Sequence, residues 1–149
     1  MTEIQPALPN DAAAVTACVR AAYAGYVERI GREPAPMVAD NAALIARGEV
    51  WVVSESGRLV GVLVMRPEPP ALFVENVAVL PERQGHGLGR ELMAFAEDHA
   101  RAAGLAEVAL YTNQKMTENL RFYAALGYVE TGRRSEDGFA RVFLCKALT

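Results

Sequence analysis

Residues 80–90 read Leu-Pro-Glu-Arg-Gln-Gly-His-Gly-Leu-Gly-Arg, with glycine at 85, 87 and 89, and an amphipathic pattern begins at Leu88. A glycine-rich turn that opens a helix offers unpaired amide N–H groups and the positive end of the helix dipole, without side-chain obstruction. Such a turn suits a phosphate or pyrophosphate; an ordinary tight turn is the alternative. The dinucleotide pattern G-x-G-x-x-G fails because Arg90 holds its last position, and no Gly-Lys pair exists for a P-loop. Upstream, the run LFVENVAVL over 72–80 carries Glu75 on the same alternating face as Phe73, Val77 and Val79. A lone carboxylate there is either a general base or a strand-edge group bonded to water. Downstream, Tyr123 follows Asn119 by four residues, so both project from one face of a helix. Tyr123 is either a proton donor or an aromatic that packs its helix onto a sheet. His86 lies within the turn and His99 on a helix, which makes both poorer bases. No H-E-x-x-H, C-x-x-C or G-x-S-x-G occurs, so metal and covalent mechanisms have no support. The chemistry implied is proton transfer beside a bound, phosphate-bearing molecule.

These groups need a scaffold, and the spacing of apolar residues predicts one. A short strand is expected at 4–7, then a helix capped by Asn10 or Asp11 with Val15, Val19, Ala22 and Tyr26 on its buried face. Gly31, Pro34 and Pro36 interrupt it, and Val38, Ala42 and Ile45 mark a second, shorter helix before Gly48. The runs on either side of Ser56-Gly57 predict a hairpin over 50–65. Pro67, Pro69 and Pro70 exclude regular structure, and 72–80 reads as a central strand covered on both faces. Leu88, Leu92, Ala96 and Ala100 predict a helix ending at Gly104. A strand at 107–112 and a helix at 117–126, closed by Gly127, follow. The tail pairs 128–131 with 139–146 across Asp137-Gly138. The order β-αα-βββ-α-β-α-ββ has neither repeat nor linker and reads as one α/β domain on a mixed sheet.

Composition narrows the partners. Of 149 residues 52% are hydrophobic and 22% charged, which fits one packed domain and excludes a disordered chain. The net charge of -3 provides no basic field for nucleic acid, and Arg133-Arg134 is too short to replace one. The apolar run at 59–65 is too short to span a bilayer, and the first residues lack a signal-peptide pattern. Cys18 and Cys145 stand far apart and are expected as reduced thiols, which points to a cytoplasmic protein.

Gln84-x-x-Gly87-x-Gly89, directly after Val77-Ala78-Val79, resembles the Q/R-x-x-G-x-G/A motif of the GNAT superfamily of acetyl-CoA-dependent N-acetyltransferases. Asn119-x-x-x-Tyr123-x-x-x-Gly127-Tyr128 resembles that family's closing signature, and the element order agrees along the whole chain. The resemblance implies a single N-acetyltransferase domain over 1–149, of α/β (α+β) class. Its mixed, mostly antiparallel sheet would be flanked by helices, with the strands at 72–80 and 107–112 splayed into a coenzyme A cleft. It implies acetyl-CoA as cosubstrate and no metal. Backbone groups of Val77, Ala78 and Val79 would pair with the pantetheine as an added strand. Gln84, Gly85, His86, Gly87, Leu88, Gly89 and Arg90 would hold the pyrophosphate. Asn119 or Asn113 would contact the pantetheine, since Met116 stands where many members have Asn. Tyr123 would touch the cofactor and protonate the departing thiolate, and Glu75 matches the glutamate base of the histone acetyltransferase branch. The implied reaction is direct acetyl transfer to a primary amine of a small molecule or peptide, admitted between segments 26–37 and 132–139. A non-catalytic coenzyme A-binding regulatory domain is the alternative, and a homodimer is compatible with the family.

Overall fold

Alternating apolar residues between 50 and 79 build three consecutive antiparallel strands, and the rest of the chain is laid against them. In the computed structural model, which describes residues 3–149, these are β2 (Val50–Glu55), β3 (Arg58–Glu68) and β4 (Ala71–Val79). The β2–β3 turn places Ser56 at φ 53° and Gly57 at φ 79°, left-handed at both central positions, as a two-residue hairpin loop requires. β1 (Ile4–Pro6) pairs with β2 at one edge of the sheet. β5 (Glu107–Asn113), β6 (Val129–Glu136) and β7 (Phe139–Ala147) complete seven strands in the order β1-β2-β3-β4-β5-β7-β6. Only β4 and β5 run parallel, so the sheet is mixed and mostly antiparallel, flanked by helices, as expected.

Residues 60–65 of β3 are buried without alternation because helices cover both faces of the sheet there. α1 (Ala12–Tyr23) packs on β3 and β4, and α4 (Leu88–Ala102) packs on β3, β4 and β5. Leu88, Leu92, Ala96 and Ala100 form the buried stripe of α4, as their spacing predicted. Gly61 favours this contact: a Cβ there would stand 3.2 Å from Leu88 Cδ2, tight enough that the leucine side chain would have to shift. α5 (Thr117–Ala125) follows β5, and Gly89 faces Phe122, where a Cβ would stand 3.3 Å from the ring's Cζ.

Four local expectations are corrected. Tyr26 falls beyond the end of α1 in a 3-10 turn (Ala24–Tyr26) before the short α2 (Val27–Ile30), and Tyr23 takes its place on the buried stripe with Val15 and Val19. Asp11 caps no amide of α1; its carboxylate instead accepts from Leu8 N at 2.8 Å. In the second helix, α3 (Asn41–Ala46), the buried face is Asn41, Leu44 and Ile45, whereas Val38 lies outside it and is 65% exposed. Pro67 does not end β3, because β2 stops pairing at Val64; beyond it β3 is an edge strand, where a residue without N–H is tolerated.

Candidate active site

The site begins where two strands part. The parallel register of β4 and β5 runs from Ala71↔Glu107 to Val74↔Leu110 and stops, although β4 continues to Val79 and β5 to Asn113. Over the same stretch β4 keeps its other partner, with Asn76, Val77, Ala78 and Val79 opposite Val64 to Gly61 of β3. One edge of 75–79 therefore presents backbone N–H and C=O groups without a strand partner, inside the protein. Glu75 causes part of this. The β3–β4 register jumps from Met65↔Val74 to Val64↔Asn76, so Glu75 is the extra residue of a β-bulge, a device that bends a strand and re-aims its side chain.

Beyond β4 the turn is braced before it meets the helix. Arg83 makes a two-pronged bond to Glu55 at 2.8 and 2.8 Å, Arg58 reaches Glu82 at 2.7 Å, and Gln84 Nε2 donates to Val79 O at 3.0 Å. Gly85 and Gly87 adopt φ of 81° and 87°, conformations that other residues enter only with strain. The first amide to close on α4 is that of Glu91, onto Gly87 O at 3.0 Å, so the amides of Leu88, Gly89 and Arg90 precede the helical ladder. Gly87, Gly89 and Arg90 border a cleft of about 380 Å³ that runs from this turn to Phe122 and Tyr123 of α5. Of the residues expected at the cofactor, Val77, Val79, Gln84, Gly85, Gly87, Gly89 and Arg90 line this cleft. Ala78, His86 and Leu88 do not: Ala78 and Leu88 point into the core, and His86 is exposed outside the cleft. Arg90 has no ion pair among the described residues, unlike Arg83, and is available to an anion. Helix-end amides, glycines at close quarters, a guanidinium and an open strand edge fit a pyrophosphate joined to an extended amide-bearing arm.

A second, smaller cavity of about 50 Å³ lies on the other side of the parting, bordered by Glu75, Tyr111, Asn113, Phe139 and Arg141 among others. Tyr23, Val77, Met116, Asn119 and Tyr123 border both spaces and form the wall between them. The expectation of a solitary Glu75 on an apolar face is corrected: Arg66 Nη1 donates to its carboxylate at 2.6 Å, and Arg66 also meets Glu49 and Glu68. Of the acceptor-side segments expected, Pro34 to Pro36 and Phe139 reach the small cavity, but 132–138 do not.

Tyr123 is buried, its ring edge-on to Phe122 and Tyr128, and burial pushes its phenol well above the usual tyrosine range. Its hydroxyl makes no hydrogen bond among the described residues. Asn119 Nδ2 lies 3.5 Å from Thr112 Oγ1 and borders both cavities. Asn113 spends its Oδ1 on Lys115 N at 2.9 Å and borders only the smaller one. Sequence reasoning missed Tyr23, whose hydroxyl donates to Asn76 Oδ1 at 2.7 Å within the shared wall. Its i+4 spacing from Val19 was the available signal. It also missed Arg141, for which one sequence offers none.

The profile of the Acetyltransferase (GNAT) family matches residues 16–128. N-acetyltransferase family 8 member 2 of Rattus norvegicus is 28% identical over 95 residues, 60% of this chain and 42% of the relative. The aminoalkylphosphonate N-acetyltransferase of Salmonella typhimurium is 38% identical over 58 residues, 39% of this chain and 38% of that protein. The chain thus spans less than half the length of these curated relatives. The PaiA N-acetyltransferase of Thermoplasma acidophilum, solved with coenzyme A, superposes with a TM-score of 0.78 over 99% of both chains at 19% identity, a likeness of fold. Since the family match runs unbroken through the parting of β4 and β5, the glycine turn and Tyr123, this chain belongs to the GNAT family of acetyltransferases.

Proposed function

We propose that the protein transfers the acetyl group of acetyl-CoA directly to a primary amine of a small molecule or peptide. The observation that carries this reading is the wall shared by two cavities, one suited to a nucleotide-linked arm and the other bordered by a carboxylate. The amides of 88–90 and Arg90 would bind the pyrophosphate, and the open edge of Val77 to Val79 would align the arm as an added strand. Acetyl-CoA supplies a thioester, whose carbonyl an amine can attack. An alkyl ammonium has a pKa of ~10.4, so a base must free its lone pair at neutral pH. Glu75 takes that part, directly or through water, from the side opposite the cofactor cleft. Tyr123, whose phenol is protonated at neutral pH as any tyrosine's is, donates to the departing thiolate. Asn119 rather than Asn113 contacts the arm, because only Asn119 borders the larger cleft. The aminoalkylphosphonate relative supports a compact amine as acceptor. Two free cysteines, Cys18 buried, support a reducing compartment such as the cytoplasm.

A thermal-shift titration paired with thiol-release kinetics over an amine panel tests the proposal. At acetyl-CoA a hundredfold above Kd, binding adds about 2.7 kcal/mol, and the melting temperature should rise by roughly 5–10 °C. Stabilisation without thiol release from any amine would replace the enzyme by a coenzyme A-binding domain. No stabilisation at all would remove the cofactor.

A further inference from the structure

Arg141 lies on β7 opposite Asn113 of β5, beyond the segment matched by the family, and it borders the small cavity together with Glu75. Its side chain is only 11% exposed, against 54% and 63% for Arg133 and Arg134 on the neighbouring strand. The guanidinium carbon sits 4.3 Å from the Tyr111 ring centroid and 5.7 Å from that of Phe139, two side chains of the cavity wall. Its nitrogens are not sealed in the core: among the described residues the buried side-chain polar atom left without a partner is Asn41 Oδ1, so Arg141 donors left unbonded within the protein stay open to solvent or a ligand. Of five N–H donors in a planar fork, those on Nη1 meet Glu136 at 3.0 Å, and the pair with the exposed Asp137 stretches to 4.0 Å. Nε and Nη2 make no hydrogen bond among the described residues. Two neighbouring N–H groups of an arginine match the oxygens of a carboxylate or phosphonate.

The rest of the cavity restricts what could bring such oxygens. Its charged borders are Glu75, already held by Arg66, and Arg141, with the Tyr111 ring beside both. At about 50 Å³ it holds roughly three to five water positions. That is room for the head of a small molecule. An ammonium at Glu75 and an oxyanion at Arg141 would use the two charged groups that border this space.

We propose that the acceptor is a small amine that also carries an anionic oxygen group, carboxylate or phosphonate, and that Arg141 binds this group. The proposal rests on the acetyl-transfer reading, which it deepens by giving the acceptor a second charge. Arg141 is then a specificity determinant that takes no part in proton transfer. A purely structural Arg141, bracing the β6–β7 tip through Glu136, would treat charged and neutral amines alike.

The test compares β-alanine with aminopropanol, and aminoethylphosphonate with aminoethanol, in wild type and Arg141→Gln. Wild type should favour the anionic member in kcat/KM by about tenfold or more, the scale of one good charged contact, through KM. Arg141→Gln should erase that preference and leave the neutral members within about twofold. A preference confined to one pair identifies the carboxylate or the phosphonate as the natural group. Equal use of both members by wild type, or an equal loss on both in the variant, overturns the proposal and leaves acetyl transfer standing. Independently of turnover, wild type saturated with free coenzyme A should gain thermal stability from the anionic amines alone, and Arg141→Gln should not. That result upholds the anion site even where no amine is acetylated, and its absence together with no kinetic preference overturns it. If Arg141→Gln does not fold, Glu136→Gln carries the test. Releasing Nη1 should lower KM for anionic members by about two- to fivefold, the range of an exposed ion pair, and an equal or absent change overturns the proposal.

Discussion

Tyr123 brings together burial, a hydroxyl with no internal partner and a place in the wall between two cavities. A phenol keeps its proton through the neutral range in any setting, and burial raises this one further, which excludes a base and makes the donor a weaker acid. A desolvated thiolate is itself more basic than one in water, so the mismatch between donor and acceptor is reduced. Tyr123→Phe should keep the ring packing and acetyl-CoA affinity while lowering single-turnover rate by about 10²-fold, the low end for general acids. A rate within about threefold of wild type, with chemistry limiting, rejects the acid role. Glu75 is read differently because Arg66 holds it at 2.6 Å. Glu75→Gln should lower kcat/KM at neutral pH, and the deficit should shrink as pH approaches the amine's own value of ~10.4, where the acceptor is deprotonated without help. A deficit constant across pH would assign Glu75 to holding Arg66 and the bulge instead.

Among the elements, the opening of β4 and the start of α4 decide where a cofactor can lie. The bulge at Glu75 bends one, and the left-handed Gly87 stands at the N-cap of the other. Gly87→Val would be uninformative, because a β-branched residue at φ 87° strains the turn whether or not a ligand binds. Asn tolerates this region, and a Cβ at 87 meets nothing within 4 Å. Gly87→Asn should therefore cost about 1 kcal/mol and shift the melting temperature by roughly 2–4 °C. Its side chain at the cleft border should at least halve the stabilisation by acetyl-CoA. A wild-type response to acetyl-CoA would place the pyrophosphate elsewhere.

At the scale of the whole molecule, the acids buried by folding predict how stability depends on alkaline pH. Burial pushes the Cys18 thiol from 9.0 to about 11, with nearby Arg58 opposing, and Cys145 rises to about 11 through burial and its bond to Glu107. Burial also raises the phenols of Tyr23, Tyr123 and Tyr128. In each case the unfolded chain ionises first, so it holds fewer protons than the native state and gains stability as pH rises. The contribution is intact below pH 9 and is lost through about pH 11. Calorimetry should show the melting temperature falling across this window, and Cys18→Ala, whatever its offset from lost packing, should fall less steeply. Parallel slopes would mean that the thiol ionises alike in both states. No helix among the described residues is long and apolar enough to cross a membrane.

Much of this was legible along the chain because its causes are local. The Ser56-Gly57 and Asp137-Gly138 hairpins follow from residues that accept positive φ, and α4 follows from a stripe repeating every three to four positions. The glycine turn could be read because amides, glycines and a helix start are contiguous, and Asn119 with Tyr123 because one helical turn separates them. Where the cause was non-local the reading failed or was silent. Pro67 stays in a strand because β2 has already ended, and α3 turns Leu44 rather than Ala42 inward because the neighbouring α1 decides which side is covered. Glu75 looked solitary, yet a register shift between strands brings it to Arg66, nine residues away. Ala78 and Leu88 share the motif's neighbourhood but face the core, since strand alternation and helix phase, not motif membership, set direction. The sequence by itself thus determined most of the elements and the glycine turn that opens α4. The pairing of β5 with β7 decided that Arg141 borders the same small cavity as Glu75, because that contact spans the last turn of the chain and depends on register alone.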